Sequence, residues 1–227
     1  MTVERQTPRL ESVRLWLAPP AIKKVARCFT VSRPRVLDVG CGFGAARKFT
    51  KFCPRCEYSG LDRDKAFLLP DDVSRMHRFY EADLETSDLS CIPDGHFDAI
   101  ILSHVIEHLR NGEDCLRRLV SKLKSGGVIY VEYPGVRSLA VPHATGGGFL
   151  HFHDDPTHVR LYSVSEVVNT LLSSGCQIVS AGTRRDAIRL LLSPFLALRG
   201  LIVRGSLWSG RLWDLYGIAE FVMARKV

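Results

Sequence analysis

Val36-Leu37-Asp38-Val39-Gly40-Cys41-Gly42-Phe43-Gly44 decides the fold: an apolar run carries one carboxylate and passes into three glycines set at alternate positions. A short apolar, β-branched run makes a buried strand, and the glycines let the chain turn sharply while a ligand lies against bare backbone. The pattern predicts a strand-to-helix crossover whose helix N-terminus and exposed N–H groups face a polar ligand.

Two ligands compete for that turn. Gly40, Gly42 and Ala45 satisfy the loose dinucleotide spacing G-x-G-x-x-G/A, and Asp62 stands about twenty residues on, where a ribose-binding acid belongs. Asp38 discriminates between them. A carboxylate beside the turn repels a pyrophosphate but attracts the ammonium of an amino acid. S-adenosylmethionine (SAM) meets this demand, since it carries an α-ammonium, a sulfonium and a ribose for Asp62.

At these residues the chain resembles the class I SAM-dependent methyltransferases, and later segments extend the resemblance from about residue 30 to the C-terminus. A helix near 45–52 is followed by a second strand, Tyr58–Asp62, then by His77–Leu84 with Asp83 near its end. Phe97–Ser103 reads as a fourth strand. Leu123–Glu132 reads as a helix end, a glycine turn and a fifth strand. The resemblance implies an α/β fold: a doubly wound, mostly parallel seven-stranded sheet with an antiparallel last strand. It also implies cofactor contacts from Asp38, Gly40, Cys41, Gly42 and Gly44, from Asp62 and Arg63 at the ribose, from Asp83 and Leu84 at the adenine, and from Ser103.

A chain of 227 residues leaves little room for the second domain a dehydrogenase usually carries. The expected organisation is an N-terminal helical cover over 1–33, lying across the crevice, then one methyltransferase domain over 34–227. The start Met1-Thr-Val-Glu-Arg-Gln does not look like a secretory signal, which places the protein in the cytoplasm. Seven irregularly spaced cysteines fit reduced thiols, with Cys53-Pro-Arg-Cys56 as incidental loop thiols or half of a zinc site. A net charge of +7 allows an anionic partner, nucleic acid or phosphorylated small molecule, without choosing between them.

Two segments are expected to reach the acceptor. In Ser103-His104-Val-Ile-Glu107-His108, helical spacing would put His104, Glu107 and His108 on one face. The second is the loop from His151 through His158 to Tyr162, beyond the fifth strand. Loops at the C-terminal ends of parallel strands converge over the crevice.

The convergence admits three readings. In one, His108 and His158 only shape the pocket. In another, His158 or His108 is the base that takes the acceptor's proton, helped by Glu107, because imidazole titrates near neutral pH. In the third, His104, Glu107, His108 and His158 bind a divalent metal, similar to the small-RNA 2′-O-methyltransferases, although a histidine stands where that pattern has its first acid.

The expected activity is O-methylation of a small-molecule or carrier-linked, saccharide-like acceptor. An RNA methyltransferase and a catalytically silent SAM-binding protein are the rivals. The last two strands are read at Gln177–Thr183 and Ala219–Arg225. Between them lies a hydrophobic and basic insertion at about 187–216 with Trp208, Trp213 and Tyr216, and arginines at 184, 185, 189, 199, 204 and 211 stand in and around it. Its charge-free stretch Leu190–Leu198, broken by Pro194, is far short of the ~20 residues of a membrane span. It suits packing on the sheet, an acceptor lid, a dimer contact or a peripheral membrane contact.

Overall fold

A computed structural model describes residues 15–144, 149–204 and 212–227. In chain order the elements are α1 (Pro20–Ala26), β1 (Arg35–Val39), α2 (Ala45–Phe52), β2 (Glu57–Asp62), α3 (Pro70–Arg75), β3 (Arg78–Glu81) and β4 (Phe97–Ser103). They continue with α4 (Gly112–Lys122), β5 (Leu123–Pro134), α5 (Val164–Ser173), β6 (Cys176–Thr183), α6 (Ala187–Arg204), α7 (Trp213–Tyr216) and β7 (Ala219–Lys226). Trp208, Arg211 and the start of the N-terminal segment lie outside the described residues.

Successive side chains of a strand point to opposite faces of its sheet. Here both sets are apolar. Leu37, Val39, Ile100, Leu102, Ile129 and Val131 are buried on one face against α4 and α5. Val36, Ala99, Ile101, Val128 and Tyr130 are buried on the other against α1 and α2. A sheet apolar on both sides needs helices on both, which crossover connections between parallel strands supply.

The seven strands run in the order β3-β2-β1-β4-β5-β7-β6. β1 pairs in parallel with both β2 and β4, while β7 runs antiparallel to β5 and β6. The chain therefore winds one way from β1 and the other way from β4, and a crevice opens at their C-terminal ends, where ligands bind in such sheets.

Two expectations are corrected here. Leu123–Glu132 contains no helix end, since α4 stops at Lys122; the glycine turn lies inside β5, with Gly126 at φ +78° and a register shift against β4 between Phe97 and Ala99. The described part of the N-terminal cover packs against the sheet, with Ile22 and Val25 buried beside Ile101 and Tyr130. None of its described residues lines the crevice.

Candidate active site

β1 ends at Val39, and Gly40, Gly42 and Gly44 follow with φ of +66°, +49° and +78°. A Cβ on Gly40 would come within 2.5 Å of Val105 Cγ2, so the turn admits no side chain there. The N-terminus of α2 beyond it is already occupied. Asp72, 1% exposed, accepts hydrogen bonds from the backbone N–H of Gly44 (2.7 Å) and of Arg47 (3.4 Å). The carboxylate sits where a helix N-terminus otherwise draws a phosphate. A pyrophosphate would have to displace Asp72 and meet Asp38 and Asp62 as well, so the dinucleotide reading loses its anion site.

The crevice has a volume of about 420 Å3 and is lined by Gly40, Asp62, Arg63, Asp83, Leu84 and Glu85 on one side. His104, Val105, His108 and Leu109 form the other. Asp62 accepts from Gly42 N–H (2.8 Å) and from Arg63 N–H (2.7 Å), which holds its carboxylate still and leaves lone pairs for two hydroxyls. Asp38, Cys41, Gly42, Gly44 and Ser103 do not line the crevice; they support it. Asp38 accepts a hydrogen bond from the Tyr58 hydroxyl (2.7 Å). Burial pushes the Asp38 carboxyl up to about 6, against the lowering effect of that hydrogen bond, and the charge of Asp62 adds to the rise. Carboxylates around an apolar wall fit a ligand that is cationic at one end, with a ribose and an adenine beyond.

A second cavity, of about 400 Å3, is lined by His104, His108, Phe149, Asp155, His158, Arg184, Arg189 and Trp213. His104 and His108 line both spaces and so form the wall between them. The His108 and His158 rings lie 4.8 Å apart. His158 Nδ1 lies 2.6 Å from the Phe152 carbonyl, and His108 Nδ1 lies 3.2 Å from that of Thr157. A carbonyl only accepts, so both Nδ1 atoms donate, and in the neutral ring the lone pair falls on Nε2. His158 Nε2 points toward Glu107 Oε1 and Asp155 Oδ2, each at 3.9 Å.

The shared helical face is not what brings the histidines together. His104 has φ +59°, a strained value for a residue with a side chain, and Ile106–His108 is a single 3-10 turn. That geometry turns His104 away from His108. Its ring lies 3.2 Å from Glu107 Oε1 and 3.4 Å from Glu132 Oε1. The candidate metal donors that converge are Glu107, His108 and His158, without His104. Of the 151–162 loop, Asp155 and His158 line the second cavity. His151 and Asp154 form the capping box of the 3-10 turn Phe152–Asp154 instead.

A buried ionic lattice supports this wall. Arg184 donates to Glu132 Oε1 (2.6 Å) and to both oxygens of Asp214 (3.2 and 3.0 Å). Burial opposes the charge on His104, but its hydrogen bonds to Glu107 and Glu132 prevail and raise its pKa to about 9. Burial likewise opposes the charge on Glu132, and His104 and Arg184 override it, holding the carboxyl at about 2. His104 is thus held toward its imidazolium form by the two carboxylates. Sequence reading missed the parts played by Asp72, Glu132 and Asp214. The one available signal was Glu132, a lone acid ending an apolar strand as Asp38 does in β1.

Known proteins place this geometry. A methyltransferase-domain profile matches residues 13–181, and the chain belongs to that family. The crystal structure of a SAM-dependent methyltransferase from Archaeoglobus fulgidus superposes with a TM-score of 0.58 at 21% identity, covering 95% of this chain and 94% of that one. Coclaurine N-methyltransferase, solved with N-methylheliamine and SAH, gives a TM-score of 0.56 at 16% identity over 100% of this chain and 74% of the other. Human thiol S-methyltransferase TMT1A is 28% identical over 100 residues, 42% of this chain and 40% of that protein. This chain spans 25%, 27% and 40% of the length of the curated relatives it matches. It carries a methyltransferase domain with the Rossmann-like fold that those SAM-dependent methyltransferase structures share.

Proposed function

We propose that the protein O-methylates a small-molecule or carrier-linked acceptor held in the cavity beside His158. The observation that carries this reading is His158 at the cavity wall, its Nδ1 held by the Phe152 carbonyl and its Nε2 3.9 Å from Glu107 Oε1. SAM, when bound, supplies an activated methyl group whose transfer to oxygen requires the acceptor's proton to leave. In this reading Asp38 attracts the ammonium and Asp62 takes the ribose hydroxyls. Asp83 and Leu84 border the adenine. His158 Nε2 accepts the hydroxyl proton, and Glu107 stabilises the imidazolium that forms. Phe149 and Trp213 offer apolar walls for a ring. The same base would serve a thiol acceptor, the chemistry named for the human relative.

A second reading is favoured by one atom: Glu107 Oε2 is buried and has no hydrogen-bond partner among the described residues. A buried carboxylate oxygen without a partner is costly. Two histidines whose Nδ1 is tied to a carbonyl also have the arrangement typical of metal ligands. Glu107, His108 and His158 would hold a divalent cation, which would lower the pKa of an acceptor hydroxyl. The deciding experiment incubates the protein with methyl-labelled SAM and cell-extract fractions, treated or not with nuclease. Label in a nuclease-resistant small or carrier-linked product supports the proposal. Label lost on nuclease treatment assigns the activity to RNA.

A further inference from the structure

α6 is packed inside out. Its buried positions are Ser193 and Gly200, seven residues apart. Leu191, Phe195, Leu198 and Ile202 recur at i, i+4, i+7 and i+11, share the opposite face, and are 75%, 71%, 56% and 74% exposed. A helix covering a core in water does the reverse. The apolar surface does not stop at the helix: Trp16, 55% exposed, shares a groove with Ile188 and the guanidinium of Arg185. Contiguous exposed surface of this kind marks an interaction site.

Charge selects the partner. From residue 187 to 213 the sequence holds arginines at 189, 199, 204 and 211 and no aspartate or glutamate. Arg185 donates to the backbone carbonyls of Asp214 and Leu215, which carry no formal charge to offset its own. A second copy of the chain docking face to face would bring arginine-bearing edges together with no carboxylate from this stretch to pair them. No described helix is long and apolar enough to cross a membrane. Apolar side chains on one face with Arg199 beside them, in a stretch of sequence that holds no acid, are the features of a helix lying in a lipid interface.

We propose that the α6 face docks on an anionic phospholipid surface, with Leu191, Phe195, Leu198 and Ile202 entering the acyl boundary and Arg199 at the headgroups. Arg189, on the first turn of α6, lies toward the side of Ser193 and pairs with Asp214 (3.6 Å), so it takes no part in the docking face.

The test uses the full chain with sedimented vesicles of phosphatidylcholine alone and of phosphatidylcholine mixed with phosphatidylglycerol. Binding is expected to the anionic vesicles and to weaken with salt, because surface attraction is screened within ~10 Å at 0.1 M. Phe195→Ser with Ile202→Ser is expected to lower partitioning at least tenfold, and Arg199→Glu to remove the preference for anionic lipid. SAM affinity, followed by calorimetry, is expected to stay unchanged in all variants; this separates a failed surface from a failed fold or cofactor site. The proposal is overturned by absent binding at low salt, by binding indifferent to these substitutions, or by a concentration-dependent dimer that Phe195→Ser and Ile202→Ser convert to monomer.

Discussion

Asp72 holds the glycine turn from outside it, accepting the Gly44 N–H at 2.7 Å from a helix of its own. The contact satisfies a backbone donor at the start of α2 and keeps that end from serving as an anion site. Asp72→Ala leaves the buried Gly44 N–H without an acceptor, at about 1–3 kcal/mol. The expected outcome is a lower denaturation midpoint and weaker SAM binding, with no gain of NADH affinity. A variant that binds NADH more tightly than SAM would show that the turn was built for a dinucleotide.

The raised pKa of Asp38 gives the cofactor site its own pH dependence. With the carboxyl pushed up to about 6 by burial, the free protein protonates it as pH falls through 6, and a neutral acid no longer attracts an ammonium. SAM affinity is expected to be level above pH 6 and to fall roughly tenfold for each unit below it. It is expected to fall again above about pH 8, where an α-amino group loses its proton. Calorimetry from pH 5 to 9 reads this directly. Asp38→Asn, weak at every pH, should erase the acidic limb. An acidic limb that persists in Asp38→Asn assigns the titration elsewhere.

Much of this was legible because it was local. The 36–44 run, the β4 run at 97–103 and the α2 segment at 45–52 each carry their own periodicity or glycine signal, and each lies where the pattern put it. The acceptor side was legible only as residue types. His108 and His158 meet because the 151–158 loop folds back, through Val159 and Arg160 N–H groups that donate to the Glu107 carbonyl, and no spacing encodes that return. His104 shows the cost of extending a local rule: helical spacing assigned it to the cluster, whereas a left-handed backbone turned it to Glu132. Asp72 and Asp214 act across 28 and 30 residues, on Gly44 and Arg184, and only the folded chain brings those pairs together.

The lattice of Glu132, His104 and Arg184 predicts a bounded range of stability. Glu132, held at about 2 against an ordinary 4.5, contributes stability that is complete above pH 4.5 and lost as pH falls toward 2. His104, raised to about 9 from 6.5, contributes stability that is complete below pH 6.5 and lost as pH rises through 9. Glu132→Ala takes one of two carboxylate partners from Arg184 and from His104, and breaking a buried pair costs at most about 3–5 kcal/mol. Chemical denaturation of Glu132→Ala is expected to show a loss of that order and a weaker alkaline decline than the parent. Unchanged stability would mean that the lattice is solvated in solution.

His158 separates the two mechanisms of methyl transfer. As a base it works without metal: exhaustive chelation leaves activity intact, while His158→Ala lowers turnover by roughly 10²–10⁴ and leaves SAM affinity nearly unchanged. As a ligand with Glu107 and His108 it fails on chelation alone, and a divalent ion restores activity. Glu107→Gln sharpens the distinction. The amide keeps a hydrogen-bonding side chain but loses the charge that steadies an imidazolium or binds a cation, so a base mechanism predicts a partial loss and a ligand mechanism predicts loss of metal from the protein. Turnover by the parent and by His158→Ala, each with and without chelator, discriminates all cases. Full activity in His158→Ala would remove both roles and leave the histidine pair as the shaped wall of the acceptor cavity.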